Sequence, residues 1–299
     1  EGIIPPIITP LRRDGSVDEL GLERLTRHMI RSGVAGIFAM GTAGEAPMLT
    51  RTQRHAALST IRRESHGEVP LLVGIMEPST QRCLELVDEA EEIGADAIVV
   101  NTPYYFPVSQ TEIIKHCLTI KEATELPIVL YNIPRYTSNA VETSTICQLA
   151  ETPGIIAYKD SSSNLVHFQE VLRRTRGIDG FSVFQGNHLL SIPSLLMGAS
   201  GVVAGIANVI PVEMVSLYHA VRAGEIEKAY QLHALVEKLE SRLTNAKYSL
   251  SMLKGMVEVL GITEEECVPH APLPPLSDLE KAEVKELFQR ENLRGFSVE

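Results

Sequence analysis

Eight short apolar runs, each trailed by a stretch of helical periodicity, restrict the fold of this chain more than any other feature. They are IIPPIIT (3–9), VAGIFAM (34–40), VPLLVGI (69–75), ADAIVVN (95–101), LPIVLYN (126–132), GIIAYKD (154–160), FSVFQG (181–186) and SGVVAGI (200–206). Between the first two, Leu20, Leu22, Leu25, Met29 and Ile30 recur at helical spacing. Comparable stretches near 51–66, 79–93, 109–124, 141–151, 164–176 and 188–197 separate the others. A continuously apolar strand is covered on both faces, as in a parallel sheet. Eight such units predict an α/β fold, a (β/α)8 TIM barrel. An open doubly wound sheet shares the local pattern, but no GxGxxG follows the first run and eight units suit closure. Pro5 and Pro6 fit a first strand whose amides are not all needed in a ladder.

Beyond Pro211 the pattern is helical, at about 212–222, 225–245, 246–260 and 278–290, punctuated by Gly224, Gly261 and the proline-rich VPHAPLPPL (268–276). One of these helices completes the eighth unit. The expected organisation is a barrel over residues 1–225 with a C-terminal helical extension, 226–299, packed on it. At 299 residues and 44% hydrophobic, the chain can bury a large core. A net charge of −11 without a basic run argues against nucleic acid or an anionic membrane as partner. There is no signal pattern, and no apolar run approaches the roughly 18–20 residues that span a bilayer. Cys83, Cys117, Cys147 and Cys267 are scattered without CxxC spacing and read as reduced thiols. A soluble, cytoplasmic protein is expected.

In such a barrel, chemistry collects where the strands end. Lys159 is the only lysine in the eight runs. Desolvating an ammonium is costly and lowers its pKa, and a neutral amine attacks a ketone to form a Schiff base. A lysine head in solvent, or one pairing Asp160, fits the same spacing. Tyr131 ends the neighbouring run, either as a proton relay or as an aromatic plug. Thr42 and Ala43 lie in a glycine-flanked turn, an ordinary βα turn or one whose amides receive a carboxylate. Nine dispersed histidines without HxH or HExxH give no metal site, and no phosphate loop, GxSxG elbow or nicotinamide fingerprint calls for a cofactor.

Four motifs, Gly41-Thr42-Ala43-Gly44-Glu45, TPYY (102–105), YNIP (131–134) and AYKD (157–160), stand in one order on expected strand ends. With them the whole chain resembles the dihydrodipicolinate synthase / N-acetylneuraminate lyase family. The resemblance implies a metal-independent class I aldolase or lyase. Lys159 would form a Schiff base with C2 of pyruvate or another 2-oxo acid, and Tyr131 would transfer protons. Thr42 would link Tyr131 to Tyr105, the latter from a neighbouring subunit of a homotetramer (a dimer of dimers). Amides of Thr42 and Ala43 would hold the pyruvate carboxylate, and Val203 would line the floor.

Departures from the family pattern concern the second substrate. Ala43 replaces the second threonine of GTTGE. Tyr136 stands where the synthases carry an arginine two residues after the YNxP proline, with Arg135 one place early. Arg51, Arg54, Pro78 and Arg82 occupy the positions of the lysine-feedback site, so that regulation is not expected. His188 and Leu189 replace acidic residues that hold the sialic acid polyol, and Gly205 replaces a serine. Arg135, Tyr136, Gly186, Asn187 and His188 remain as the acceptor side. That set suits an aldolase or dehydratase of 2-keto-3-deoxy sugar acids or 4-hydroxy-2-oxo acids. Condensation of pyruvate with aspartate semialdehyde is the alternative, and a non-catalytic 2-oxo acid sensor a third reading.

Overall fold

The computed structural model describes residues 1–293. Its strands are β1 (Gly2–Ile3), β2 (Ile37–Ala39), β3 (Leu71–Gly74), β4 (Ala97–Asn101), β5 (Ile128–Asn132), β6 (Ile155–Asp160), β7 (Ser182–Gln185) and β8 (Gly201–Val202). They pair in the order β1-β8-β7-β6-β5-β4-β3-β2, every pair parallel. A Pro6–Phe38 bridge closes the remaining seam between the first strand and β2. The fold is a TIM barrel.

The first run forms a shorter strand than the expected 3–9, and its prolines explain why. Gly2 and Ile4 donate to Ser200 and Val202 carbonyls on the β8 side, at 3.0 Å each. The next amide on that side belongs to Pro6, which has no N–H, so the ladder with β8 stops. On the other side the Pro5 carbonyl still accepts from Phe38 N at 2.9 Å, and Ile7 N donates to the Phe38 carbonyl at 3.0 Å. Proline therefore ends one pairing without opening the barrel.

Two apolar layers result. The larger lies between strands and outer helices; the smaller fills the barrel with Ile4, Phe38, Val99, Val129, Tyr131, Ala157 and Phe184. Helix Pro211–Arg222 packs on β1 and supplies the eighth βα unit. Helix Ile226–Asn245 then packs against the turns at 188–190 and 205–208, which follow β7 and β8. Helix Ser249–Val259 also meets the 205–208 turn. The extension thus covers part of the C-terminal mouth. Its Lys254 is fully buried in an ion pair with Glu45 and donates to the Val268 carbonyl at 2.8 Å. Glu45, in a left-handed conformation (φ 60°), also accepts from His270 N at 2.6 Å. Among the described residues no helix is long and apolar enough to cross a membrane.

Candidate active site

Strand alternation decides which residues enter the barrel. On β6, Tyr158 and Asp160 turn outward and Lys159 inward; on β5, Tyr131 turns inward and Asn132 outward. The register pairs Tyr131 with Lys159. The Lys159 Nζ lies 3.8 Å from the Tyr131 ring centroid and 4.9 Å from that of Phe38. The residue is 4% exposed and borders a cavity lined by Ile4, Leu72, Val99, Phe184 and Val203. Among the described residues no carboxylate pairs with it. Aromatic faces attract a cation only modestly, so desolvation dominates and lowers the Lys159 pKa to about 7.

Asp160 does not pair with Lys159. Its carboxylate accepts from Asn132 Nδ2 (2.9 Å), Ser162 N (3.0 Å), Ser162 Oγ (2.9 Å) and the Tyr158 hydroxyl (3.3 Å). The Asn132 side-chain carbonyl in turn accepts from Val141 N at 3.1 Å. This buried outward network locks the ends of β5 and β6 together, and with them the relative placement of Tyr131 and Lys159.

Burial raises the Tyr131 pKa, while the hydroxyls of Ser161 and Thr42, set against its phenol, pull it down. The approach of Thr42 stops short of full hydrogen-bond geometry: its Oγ1 is buried and without a partner among the described residues. Ser161 can sit there because Gly186 has no side chain. A Cβ on Gly186 would lie 2.0 Å from Ser161 Oγ and 2.7 Å from the Asp160 carbonyl oxygen. In the turn after β2, Glu45 N donates to the Thr42 carbonyl at 3.1 Å and Ala46 N to that of Gly41 at 3.3 Å. The amides of Thr42 and Ala43 donate to no main-chain carbonyl among the described residues. Main-chain amides left in this way suit an anion.

Tyr105 stands apart from this group within the chain. It is 86% exposed, held at φ 79°, and its ring meets Phe106 edge-on at 5.0 Å. Asn139 clamps its loop, donating to the Pro103 and Phe106 carbonyls (2.8 and 2.9 Å) and accepting from Val108 N (3.0 Å). The other residues of TPYY are structural: Thr102 Oγ1 bonds to Thr137 Oγ1 and the Asn139 carbonyl, both at 2.9 Å, and the Tyr104 hydroxyl reaches the Met76 carbonyl at 3.4 Å.

On the acceptor side, Arg135 and Tyr136 are both exposed, the guanidinium 5.7 Å from the Tyr136 ring centroid. Asn187 is occupied locally, donating to Ser163 Oγ at 3.0 Å and accepting from Leu189 N at 3.0 Å. His188 Nε2 lies 2.5 Å from Glu240 Oε2, on helix Ile226–Asn245. Burial pushes the Glu240 pKa up, but His188, Thr244 and the charge of Arg135 outweigh it, and the net shift is downward.

A model of the dihydrodipicolinate synthetase family matches residues 1–291. The chain belongs to this family. A 4-hydroxy-tetrahydrodipicolinate synthase of Methanopyrus kandleri is 34% identical over 293 residues, covering 97% of this chain and 95% of the relative. The crystal structure of dihydrodipicolinate synthase from Bacteroides thetaiotaomicron aligns with a TM-score of 0.91 at 34% identity, over 97% of this chain and 98% of that one. YagE, a prophage protein of this family from E. coli K12 solved with pyruvate, aligns with a TM-score of 0.92 at 28% identity, over 98% of each chain. As a member of the family, the chain is a pyruvate-dependent lyase or aldolase of the class I type.

Two residues at this family site escaped sequence reasoning. Ser161 was hidden in a polar cluster that reads as the start of a helix; its signal was adjacency to Lys159-Asp160. Glu240 lies in an amphipathic helix with two other acids, Glu227 and Glu237, and no pattern distinguishes it from them.

Proposed function

We propose that the chain cleaves a hydroxylated 2-oxo acid, a 2-keto-3-deoxy sugar acid or 4-hydroxy-2-oxo acid, through a Schiff base on Lys159. The observation that carries this reading is a buried lysine with no carboxylate partner among the described residues, in register with an inward tyrosine. At neutral pH a substantial fraction of Lys159 is the free amine, which attacks C2 of the substrate. Loss of water leaves an iminium, an electron sink. The C3–C4 bond then breaks as the C4 hydroxyl gives its proton to the oxygen of Tyr131, whose phenolic proton passes along the relay to water, releasing an aldehyde. The enamine takes a proton at C3, and water returns the amine and pyruvate. The amides of Thr42 and Ala43 hold the substrate carboxylate throughout, and Val203 supports the methyl end from the floor. Ser161 and Thr42 position the phenol. A dehydratase would use the same iminium to expel a hydroxyl.

The tyrosine relay is completed by Tyr105 from a second copy of the chain in a homotetramer. The exposed Tyr105–Phe106 pair on a clamped loop supports that assignment. The names of several relatives favour a second reading, condensation of pyruvate with aspartate semialdehyde. Against it, Tyr136 stands at the arginine position of the synthases.

A screen separates the two: pyruvate release from 2-oxo-3-deoxy sugar acids and 4-hydroxy-2-oxo acids, beside condensation of pyruvate with aspartate semialdehyde. Pyruvate release from the hydroxylated acids is expected. Turnover confined to aspartate semialdehyde would replace this reading with the second.

A further inference from the structure

We infer that Glu240, supplied by the C-terminal extension, sets the charge preference of the acceptor end, so that it takes a neutral, hydroxylated aldehyde in place of a carboxylated one. The inference rests on the Schiff-base reading of Lys159 and adds a residue to it.

Helix Ile226–Asn245 and the turn after β7 meet here, and the charge of Arg135 reaches them. Arg135 follows the end of β5, His188 follows the end of β7, and helix Ile226–Asn245 lies against the 188–190 turn. Glu240 places one carboxylate oxygen 2.5 Å from His188 Nε2 and receives Thr244 Oγ1 on the other at 2.9 Å. Both side chains of the pair are mostly buried. A carboxylate beside Nε2 makes that nitrogen the donor. Arg135 has no carboxylate within ion-pair distance among the described residues; its guanidinium faces the Tyr136 ring. Its charge is nonetheless near enough to help hold Glu240 ionised.

The charge balance follows. A carboxylated acceptor needs an unopposed cation, because burying an anion beside another carboxylate is penalised. Here a carboxylate, Glu240 on His188, already stands at the end that carries Arg135. A hydroxyl, by contrast, donates to a carboxylate and accepts from a guanidinium, so a polyhydroxy chain satisfies both without net charge. Discrimination of this kind works by building a repulsive element against the wrong partner.

The test compares kcat/KM for condensation of pyruvate with D-glyceraldehyde and with L-aspartate semialdehyde, in the unsubstituted protein and in Glu240→Gln. Glutamine keeps the shape and removes the charge. The ratio is expected to shift at least fivefold toward aspartate semialdehyde in the variant. A smaller shift, in a variant that still forms a borohydride-trapped adduct with pyruvate, overturns the inference. If Glu240→Gln does not fold, Glu240→Met removes the same charge and is judged by the same fivefold criterion. Failure of trapping in the unsubstituted protein would instead refute the Schiff-base reading. Affinities for the two aldehydes, measured by calorimetry, then judge Glu240 by the same ratio.

Discussion

Two lysines are buried among the described residues, and they are held in opposite ways. Lys254 lies against the carboxylate of Glu45; Lys159 lies against the faces of Tyr131 and Phe38, with no carboxylate partner among the described residues. An unpaired buried ammonium costs stability, and groups perturbed in this way cluster at functional sites. The cost has a definite pH dependence. The pKa of Lys159 is lowered from 10.5 to about 7, so between these values the unfolded chain holds a proton that the folded chain does not. Stability therefore rises with pH across that window, and the penalty is full below about 7. Lys159→Met is expected to stabilise the protein at pH 6 by on the order of a few kcal/mol, because a tenfold change in proton affinity is worth about 1.4 kcal/mol. The gain should shrink as pH rises toward 10. Urea unfolding at several pH values measures it, and a variant less stable than the parent at pH 6 would contradict the burial argument. Lys159 itself was legible as the only lysine in the apolar runs. Asp160 was not: whether it faced the lysine or the helices depended on strand alternation and on partners as distant as Asn132.

At the scale of elements, the apolar runs located every strand, but their ends were set by hydrogen bonding that hydrophobicity does not encode. The first run stops pairing with β8 at the missing amide of Pro6, and the last run yields only Gly201–Val202 before the 205–208 turn. The loop after β4 depends on a single side chain from the next unit. Asn139, buried, holds three main-chain groups between Pro103 and Val108 and keeps Tyr105 at φ 79°. A non-glycine residue in that region persists only when its surroundings over-determine it. Asn139→Ala is expected to cost about 1–3 kcal/mol, at roughly 1 kcal/mol per hydrogen bond. Hydrogen exchange should show faster exchange at Val108 N, with the amides of β4 unchanged. Unaltered protection at Val108 would show that the loop holds itself without the clamp.

Across the whole molecule, the barrel was legible from eight repeats because each unit must bury both faces of its strand. The extension was legible as helices only. Its placement over the mouth follows from contacts between residues far apart in sequence, His188 with Glu240 and Glu45 with Lys254, which no local pattern announces. The motifs on strand ends could therefore be read directly, while the helix that brings Glu240 to His188 carries none. Whether this architecture keeps one lysine dry and reactive is tested by borohydride reduction in the presence of pyruvate, with peptide mapping by mass spectrometry. A reduced pyruvyl adduct is expected on Lys159 alone, its initial rate of formation rising as pH passes through about 7, and none in Lys159→Ala of unchanged circular dichroism. Absence of an adduct, or its appearance on another lysine, would contradict the account.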